Sequence, residues 1–300
     1  MSEASKQDRR SFLMQLAAAG ASGSLLAACA RASGAASGGG APKPSASQIG
    51  VQLYTVRDLL QQDFEGTIAK VVQLGYKNLE FAGYNNRTPE QIRALLDRLG
   101  AASPSAHIGV NLLRQDAAAQ IASAKTIGQA YVTVPSYPYA RTGGAQAFKD
   151  AAAEMSKWAA MCRDAGIRLA YHNHDAELRP IDGGSTGLDI LMHETDPALV
   201  DFEVDLYWAV HAGADPLALF DKYPGRFKMW HVKDMVDPQG TKAMTAVGQG
   251  TINFPKIFAQ ASKSGMRYFF VEHDSAAQYP GGSLASLQTS VTNLKRMLSA

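Results

Sequence analysis

From about residue 49 onward the chain alternates between two hydrophobic patterns. Short runs rich in β-branched and aromatic residues occupy 49–56, 78–81, 131–135, 168–173, 200–204, 228–232 and 268–272, with a weaker run at 105–108. Between them lie longer stretches with helical signals. One helix is predicted over 63–74, stopped by Gly75. Another opens at Thr88-Pro89-Glu90-Gln91, where Thr supplies the N-cap and Pro the first helical position. Long helices are expected over 145–165, before Gly166, and over about 283–298 at the end of the chain. Eight strands separated by crossover-length segments must run parallel, because a parallel neighbour needs a connection long enough to bring the chain back. Right-handed crossovers close such a series most naturally into a (β/α)₈ TIM barrel, with an open doubly wound sheet as the competing arrangement. No Gly-x-Gly-x-x-Gly follows the first strand, so a dinucleotide site has no support.

The first 47 residues break this pattern. Asp8-Arg9-Arg10-Ser11-Phe12 precedes an uncharged stretch over 15–28 and then Cys29, the arrangement of a twin-arginine export signal. The apolar run is Ala- and Gly-rich and shorter than the roughly 20 strongly apolar residues of a membrane span. Leu26-Ala27-Ala28-Cys29 resembles a lipobox, which would make Cys29 the lipidated first residue of the mature chain; an ordinary cleaved signal is the alternative. Residues 29–47 are, after Cys29, rich in Ala, Gly, Ser and Pro with almost no large apolar side chains, the composition of a flexible tether. The expected organisation is therefore a signal peptide over 1–28, a tether over 29–47 and a barrel domain over 48–300. Such a protein would sit on the periplasmic side, held to the membrane through Cys29. Cys162 then has no disulfide partner and reads as a small core residue. With 29 basic and 27 acidic residues, net charge +2 and no basic block, nucleic-acid binding has no electrostatic basis.

In barrels of this kind the active site lies at the C-terminal ends of the strands. Those ends carry Glu80, His107, His172-Asn173-His174, Asp205, His231, Lys233-Asp234 and Glu272-His273. Carboxylates and imidazoles converging from neighbouring strands can surround a divalent cation: Asp205 and Glu272 supply oxygen, His231 and one of the strand-five histidines supply nitrogen. Each has a plainer alternative. Asp205 could be a helix N-cap, His231 a core histidine bonded to backbone, and Glu272 one half of a buried ion pair.

The stretches Tyr171-His-Asn-His-Asp-Ala-Glu177, Glu203-Val-Asp-Leu-Tyr-Trp208, Trp230-His-Val-Lys-Asp234, Val247-Gly-Gln-Gly250 and Phe270-Val-Glu272 resemble the xylose-isomerase-like TIM-barrel family of sugar isomerases and epimerases. The resemblance implies one divalent metal held by residues of strands five to eight, here His172, Asp205, His231 and Glu272. Many relatives carry Glu where this chain has His172. The exchange makes the site less negative and shifts the expected preference to Zn²⁺, Co²⁺, Fe²⁺ or Mn²⁺ over Mg²⁺. His174 falls where some relatives have a catalytic base, although His172 and His174 could exchange roles.

The implied reaction is proton abstraction next to a carbonyl, with Glu272 and His174 as the transferring groups. Lys233, His107 and Glu80 are the expected contacts to substrate oxygens, and Trp208 and Tyr54 the expected walls. Returning the proton gives a sugar isomerase or epimerase. Losing a β-substituent instead gives a lyase or dehydratase acting on keto-sugars or 3-keto-glycosides. A sugar-binding lipoprotein that has lost catalysis is the non-enzymatic alternative, and the exported location favours saccharides or glycosides over sugar phosphates.

Overall fold

The computed structural model describes residues 44–138, 143–181 and 184–299. The expected signal peptide and Cys29 lie outside them, as does the tether up to residue 43. Within them the strands are β1 (Ile49–Gln52), β2 (Asn78–Glu80), β3 (Ser105–His107), β4 (Tyr131–Val134), β5 (Arg168–His172), β6 (Val200–Asp205), β7 (Phe227–Val232) and β8 (Tyr268–Val271). They form one parallel sheet in the order β2-β1-β8-β7-β6-β5-β4-β3. Parallel bridges Asn78↔Ala102 and Phe81↔Ala106 join the β2 and β3 segments, so the ring closes as a (β/α)₈ barrel and the open-sheet alternative falls away.

Side-chain alternation along each strand divides the core into two. On β6, Val200, Phe202 and Val204 belong to the core packed around the sheet, whereas Asp201, Glu203 and Asp205 occupy the other face; all six are buried. On β7, Trp230 stacks on Phe220 of the Pro216–Lys222 helix, with ring centroids 5.1 Å apart, while His231 faces the other way. A separate apolar cluster of Tyr131, Ala170, Met229 and Phe270 fills the barrel interior. Counting two residues onward from Ala170, Met229 and Phe270 gives His172, His231 and Glu272. The lumen therefore passes from an apolar floor to a polar mouth by strand period alone. Gly50 makes room for that floor, since a Cβ there would lie 2.6 Å from the Phe270 ring and 2.8 Å from the Phe269 carbonyl oxygen.

Several predicted boundaries hold for identifiable reasons. The Asp63 carboxylate caps the Phe64–Leu74 helix through the Gly66 N–H, and Gly75 ends it with φ 112°. Thr88 and Gln91 form a reciprocal capping box before the Pro89–Leu99 helix. The predicted first strand ends early, at Gln52, because the Gln52 side chain accepts the Tyr54 N–H and turns Leu53–Val56 into a 3₁₀ helix. That turn lifts Tyr54 to the rim. The Val110–Ile127 helix was not anticipated: it is Ala-rich with weak periodicity, and it kinks at Asp116 (φ −160°), whose carboxylate accepts the Ala119 N–H. Cys162 is fully buried in the Gly144–Asp164 helix, and burial pushes its thiol up to about 12, which keeps it unreactive. Among the described residues no helix is long and apolar enough to cross a membrane.

Candidate active site

The polar mouth is built by three loops whose backbone is tied down by side chains. After β5, the buried Glu177 carboxylate accepts the Tyr171 hydroxyl at 2.6 Å and the His174 N–H at 3.0 Å, fixing the segment that carries both histidines. The Asn173 side-chain oxygen accepts the Asp205 N–H at 3.2 Å, linking the ends of β5 and β6. After β7, Asp234 turns away from the lumen. Its carboxylate accepts the N–H groups of Met235, Gly248, Gly250 and Ile252 at 2.8–3.2 Å. Gly250 is needed for this approach, since a Cβ would lie 2.2 Å from an Asp234 oxygen. The Lys-Asp pair and the Val-Gly-Gln-Gly stretch, far apart in sequence, are thus two halves of one loop.

Two overlapping layers of ionisable groups occupy the mouth. In the upper layer His231 Nδ1 lies 2.7 Å from Glu272 Oε2 and 3.8 Å from Asp205 Oδ2. Lys233 Nζ sits between the same carboxylates, 2.9 Å from Asp205 Oδ2 and 2.7 Å from Glu272 Oε2, and 3.0 Å from Asp274 Oδ1. In the lower layer Glu203 Oε2 receives three imidazoles: His107 Nε2 at 2.7 Å, His172 Nδ1 at 3.1 Å and His231 Nε2 at 3.2 Å. Glu80 lies against His231 Nε2 at 2.7 Å and accepts the Gln52 amide at 2.9 Å. His172 spans the layers, with Nε2 3.8 Å from Asp205 Oδ2.

The charges follow from burial set against pairing. Burial alone would push the His231 pKa down, but the Glu203 and Glu272 carboxylates outweigh it and hold the ring well above its ordinary value. Burial likewise opposes the charge on Lys233, and Asp205, Glu272 and Asp274 together keep its pKa well above the usual lysine range. Glu272 is held well below the carboxylate range, as Lys233 and His231 override its burial. Burial raises Asp205 to about 6 despite Lys233. His174 differs from this network: burial, then the Lys233 charge, lower it to about 4, so it is a neutral imidazole at neutral pH.

A cavity of about 430 Å³ opens over these groups, and Tyr54, His107, His172, His174, Lys233 and Glu272 line it together with Asp274. Trp208 stands behind it, its ring 5.6 Å from His174 and 5.8 Å from Lys233 Nζ. Glu80 is fully buried beneath, outside the lining. Glu203, Asp274 and Gln52 were not singled out in the sequence. Glu203 had a signal, because two residues before Asp205 on one strand is the same face.

The residues fit a divalent cation. Ligand atoms of Asp205, His231 and Glu272 lie within 4.8 Å of one another, and those of His107, His172, Glu203 and His231 form a second such group. Asp205 Oδ2 is buried and lacks a hydrogen bond; the Lys233 ammonium 2.9 Å away is an ion-pair partner without hydrogen-bond alignment. A cationic group thus already stands among these carboxylates. Imidazole with two carboxylates is a donor set for zinc and its first-row neighbours. Asp205 also caps the Leu206–His211 helix through Oδ1, which accepts the Trp208 N–H at 3.0 Å, so its capping and cation-facing roles use different oxygens.

Comparisons with known proteins agree with this architecture. Inosose dehydratase of Bacillus cereus strain AH820 is 32% identical over 140 residues, covering 40% of this chain and 45% of that protein. The chain spans about half the length of the curated relatives it matches. A sugar phosphate isomerase/epimerase from Parabacteroides distasonis ATCC 8503 superposes with TM-score 0.70 at 24% identity, over 89% of this chain and 98% of that one. The IolI protein with a bound zinc atom superposes with TM-score 0.66 at 12% identity, over 84% and 98%. These likenesses to solved structures are likenesses of fold. The sequence profile of the xylose isomerase-like TIM barrel matches residues 68–291, most of the chain, and the protein belongs to that family.

Proposed function

We propose that this protein is a divalent-metal-dependent enzyme that removes the proton next to the keto group of a sugar or glycoside. The observation carrying this reading is the grouping at one cavity: His174, outside the candidate ligand groups, shares it with Lys233, which three carboxylates bind beside Asp205, His231 and Glu272. A cation held by Asp205, His231 and Glu272, with His172 at its edge, would polarise the carbonyl and make the neighbouring C–H acidic. Zinc, manganese, cobalt or iron suits that donor set better than magnesium.

The chain's own groups do the rest. His174 accepts the proton, being unprotonated throughout the neutral range. Lys233 donates hydrogen bonds to a substrate oxygen, and Glu272 steadies its charge while remaining within reach as the second proton-transferring group. His107 offers a further polar contact, and Tyr54 and Trp208 bound the space for the ring.

Returning the proton would make the protein an isomerase or epimerase. Loss of a β-substituent would make it a lyase, and the curated relatives named inosose dehydratase favour this second outcome. Product analysis separates the two: mass spectrometry of keto-sugars and 3-keto-glycosides incubated with the metal-loaded protein should show loss of water or of the aglycone. A product of unchanged mass would favour isomerisation. The same proposal includes export and a lipid anchor at Cys29, motivated by the paired arginines and the Leu-Ala-Ala-Cys run. Cys29→Ser should move the protein from the membrane to the soluble fraction with its fold intact, and unchanged membrane association would remove the anchor from this account.

A further inference from the structure

Beside the cavity over the ionisable cluster lies a second one of about 540 Å³, formed over the β1 and β2 loops. Tyr54 and Ala82 belong to the walls of both, so the two are neighbours across the exposed Tyr54 ring. Their electrostatics differ. The first contains the carboxylates of Glu272 and Asp274. The second carries Arg57 and Arg87 among amides such as Gln61 and Asn85, and no Asp or Glu among its described lining residues.

Arg57 is held in place by an aromatic ring and two backbone carbonyls. Its guanidinium lies 3.9 Å over the Tyr54 ring and donates to the Tyr54 carbonyl at 2.9 Å and to the Asp274 carbonyl at 2.8 Å. Both partners are neutral backbone oxygens, so the cation is oriented while its charge stays unneutralised by them. Asp274 lines the first cavity, so whatever Arg57 binds is one residue from the proposed chemistry. Arg87 sits 5.2 Å over the Phe64 ring, with one long bond, 3.3 Å, to the Asn85 carbonyl. Asn85 and Asn86 both adopt left-handed backbone (φ 47° and 59°), which folds the chain tightly around this wall.

We infer that the second cavity binds an anionic substituent, a carboxylate or a phosphate monoester, on the part of the substrate remote from the keto group. This deepens the functional reading above and rests on it. Guanidinium groups recognise planar and tetrahedral oxyanions through paired hydrogen bonds, and a cavity with one sign of charge concentrates ligands of the other. A neutral sugar would leave those donors facing only hydroxyls.

The test is calorimetric binding to the metal-loaded protein with three probes: a keto-disaccharide, the same compound oxidised to a uronate on its second sugar, and its 6-phosphate on that sugar. At least one anionic probe should bind roughly tenfold tighter than the neutral one, as charge-assisted bonds in a half-open site allow. The tighter probe identifies which oxyanion the site takes. The advantage should shrink with added salt and approach equality in Arg87→Gln and in Arg57→Gln, the second variant guarding against misfolding of the first. Equal binding of all three probes, or an advantage that survives both substitutions, overturns the subsite. Deuterium exchange on the neutral probe, followed in the same samples, keeps the two readings apart. Exchange without charge preference removes only the subsite, whereas charge preference without exchange counts against the catalytic reading alone.

Discussion

Replacing His174 with alanine should lower proton exchange on the substrate by roughly 10²–10⁴-fold, the cost typical of a missing general base, while metal content stays at the wild-type level. His174 lines the cavity, lies outside both groups of candidate metal ligands, and is kept neutral by burial and by Lys233. The sign of its pH dependence follows. A base lowered to about 4 is available above that value and lost below it, so the acid limb from this group belongs near pH 4 rather than near 6.5. His172→Ala should fail differently, losing metal affinity and recovering part of its activity when metal is added. His172→Glu restores the ligand type of many relatives and should shift preference toward Mn²⁺ or Mg²⁺. If His172→Ala holds metal normally while His174→Ala loses it, the two roles are exchanged.

Asp205→Ala, His231→Ala and Glu272→Ala should each abolish stable retention of the divalent ion through extensive dialysis. Each removes one of three donors that the barrel brings within 4.8 Å, and a site short of a donor is also mis-set for those that remain. The loss extends beyond the ion. Removing Glu272 or Asp205 strips a partner from Lys233, and removing His231 takes away the imidazole that lies against Glu80, Glu203 and Glu272 at once. Thermal stability of the metal-free His231→Ala protein should therefore fall as well. Because burial raises Asp205 to about 6, a proton competes for that oxygen below this pH, and retention by the wild type should weaken on acidification through it. Full metal content in all three variants would place the ion elsewhere.

The barrel was legible in the sequence because its strands are buried on both faces and its helices carry strong stops. Gly75 and the Thr88-Pro89 cap mark ends that hydrogen bonding then explains. The ionisable groups at the mouth were legible because most of them gather at the C-terminal ends of otherwise apolar strands. Glu203 opens one of the family-like stretches but was given no role, although the period of two from Asp205 places it on the same face. Asp274 escaped because it comes after β8 ends, and only Lys233 and Arg57, distant in sequence, give it meaning. The sequence pattern assigned Asp205 to the metal and left Asp234 without a role; Asp234 organises a loop through four N–H groups, whereas Asp205 faces the cluster. The plainer alternatives weighed for Asp205 and Glu272 were not exclusive, for Asp205 caps a helix with one oxygen and Glu272 pairs with Lys233.

The most direct measurement is deuterium uptake at the carbon next to the carbonyl, followed by NMR, for keto-sugars and 3-keto-glycosides in deuterated water. Wild-type protein loaded with zinc or manganese should catalyse uptake, the metal-stripped protein should not until metal is returned, and His174→Ala should remain slow with its metal in place. Turnover to a product of unchanged mass without any uptake, or turnover and uptake at unchanged rates after the metal is removed, would contradict metal-dependent proton abstraction.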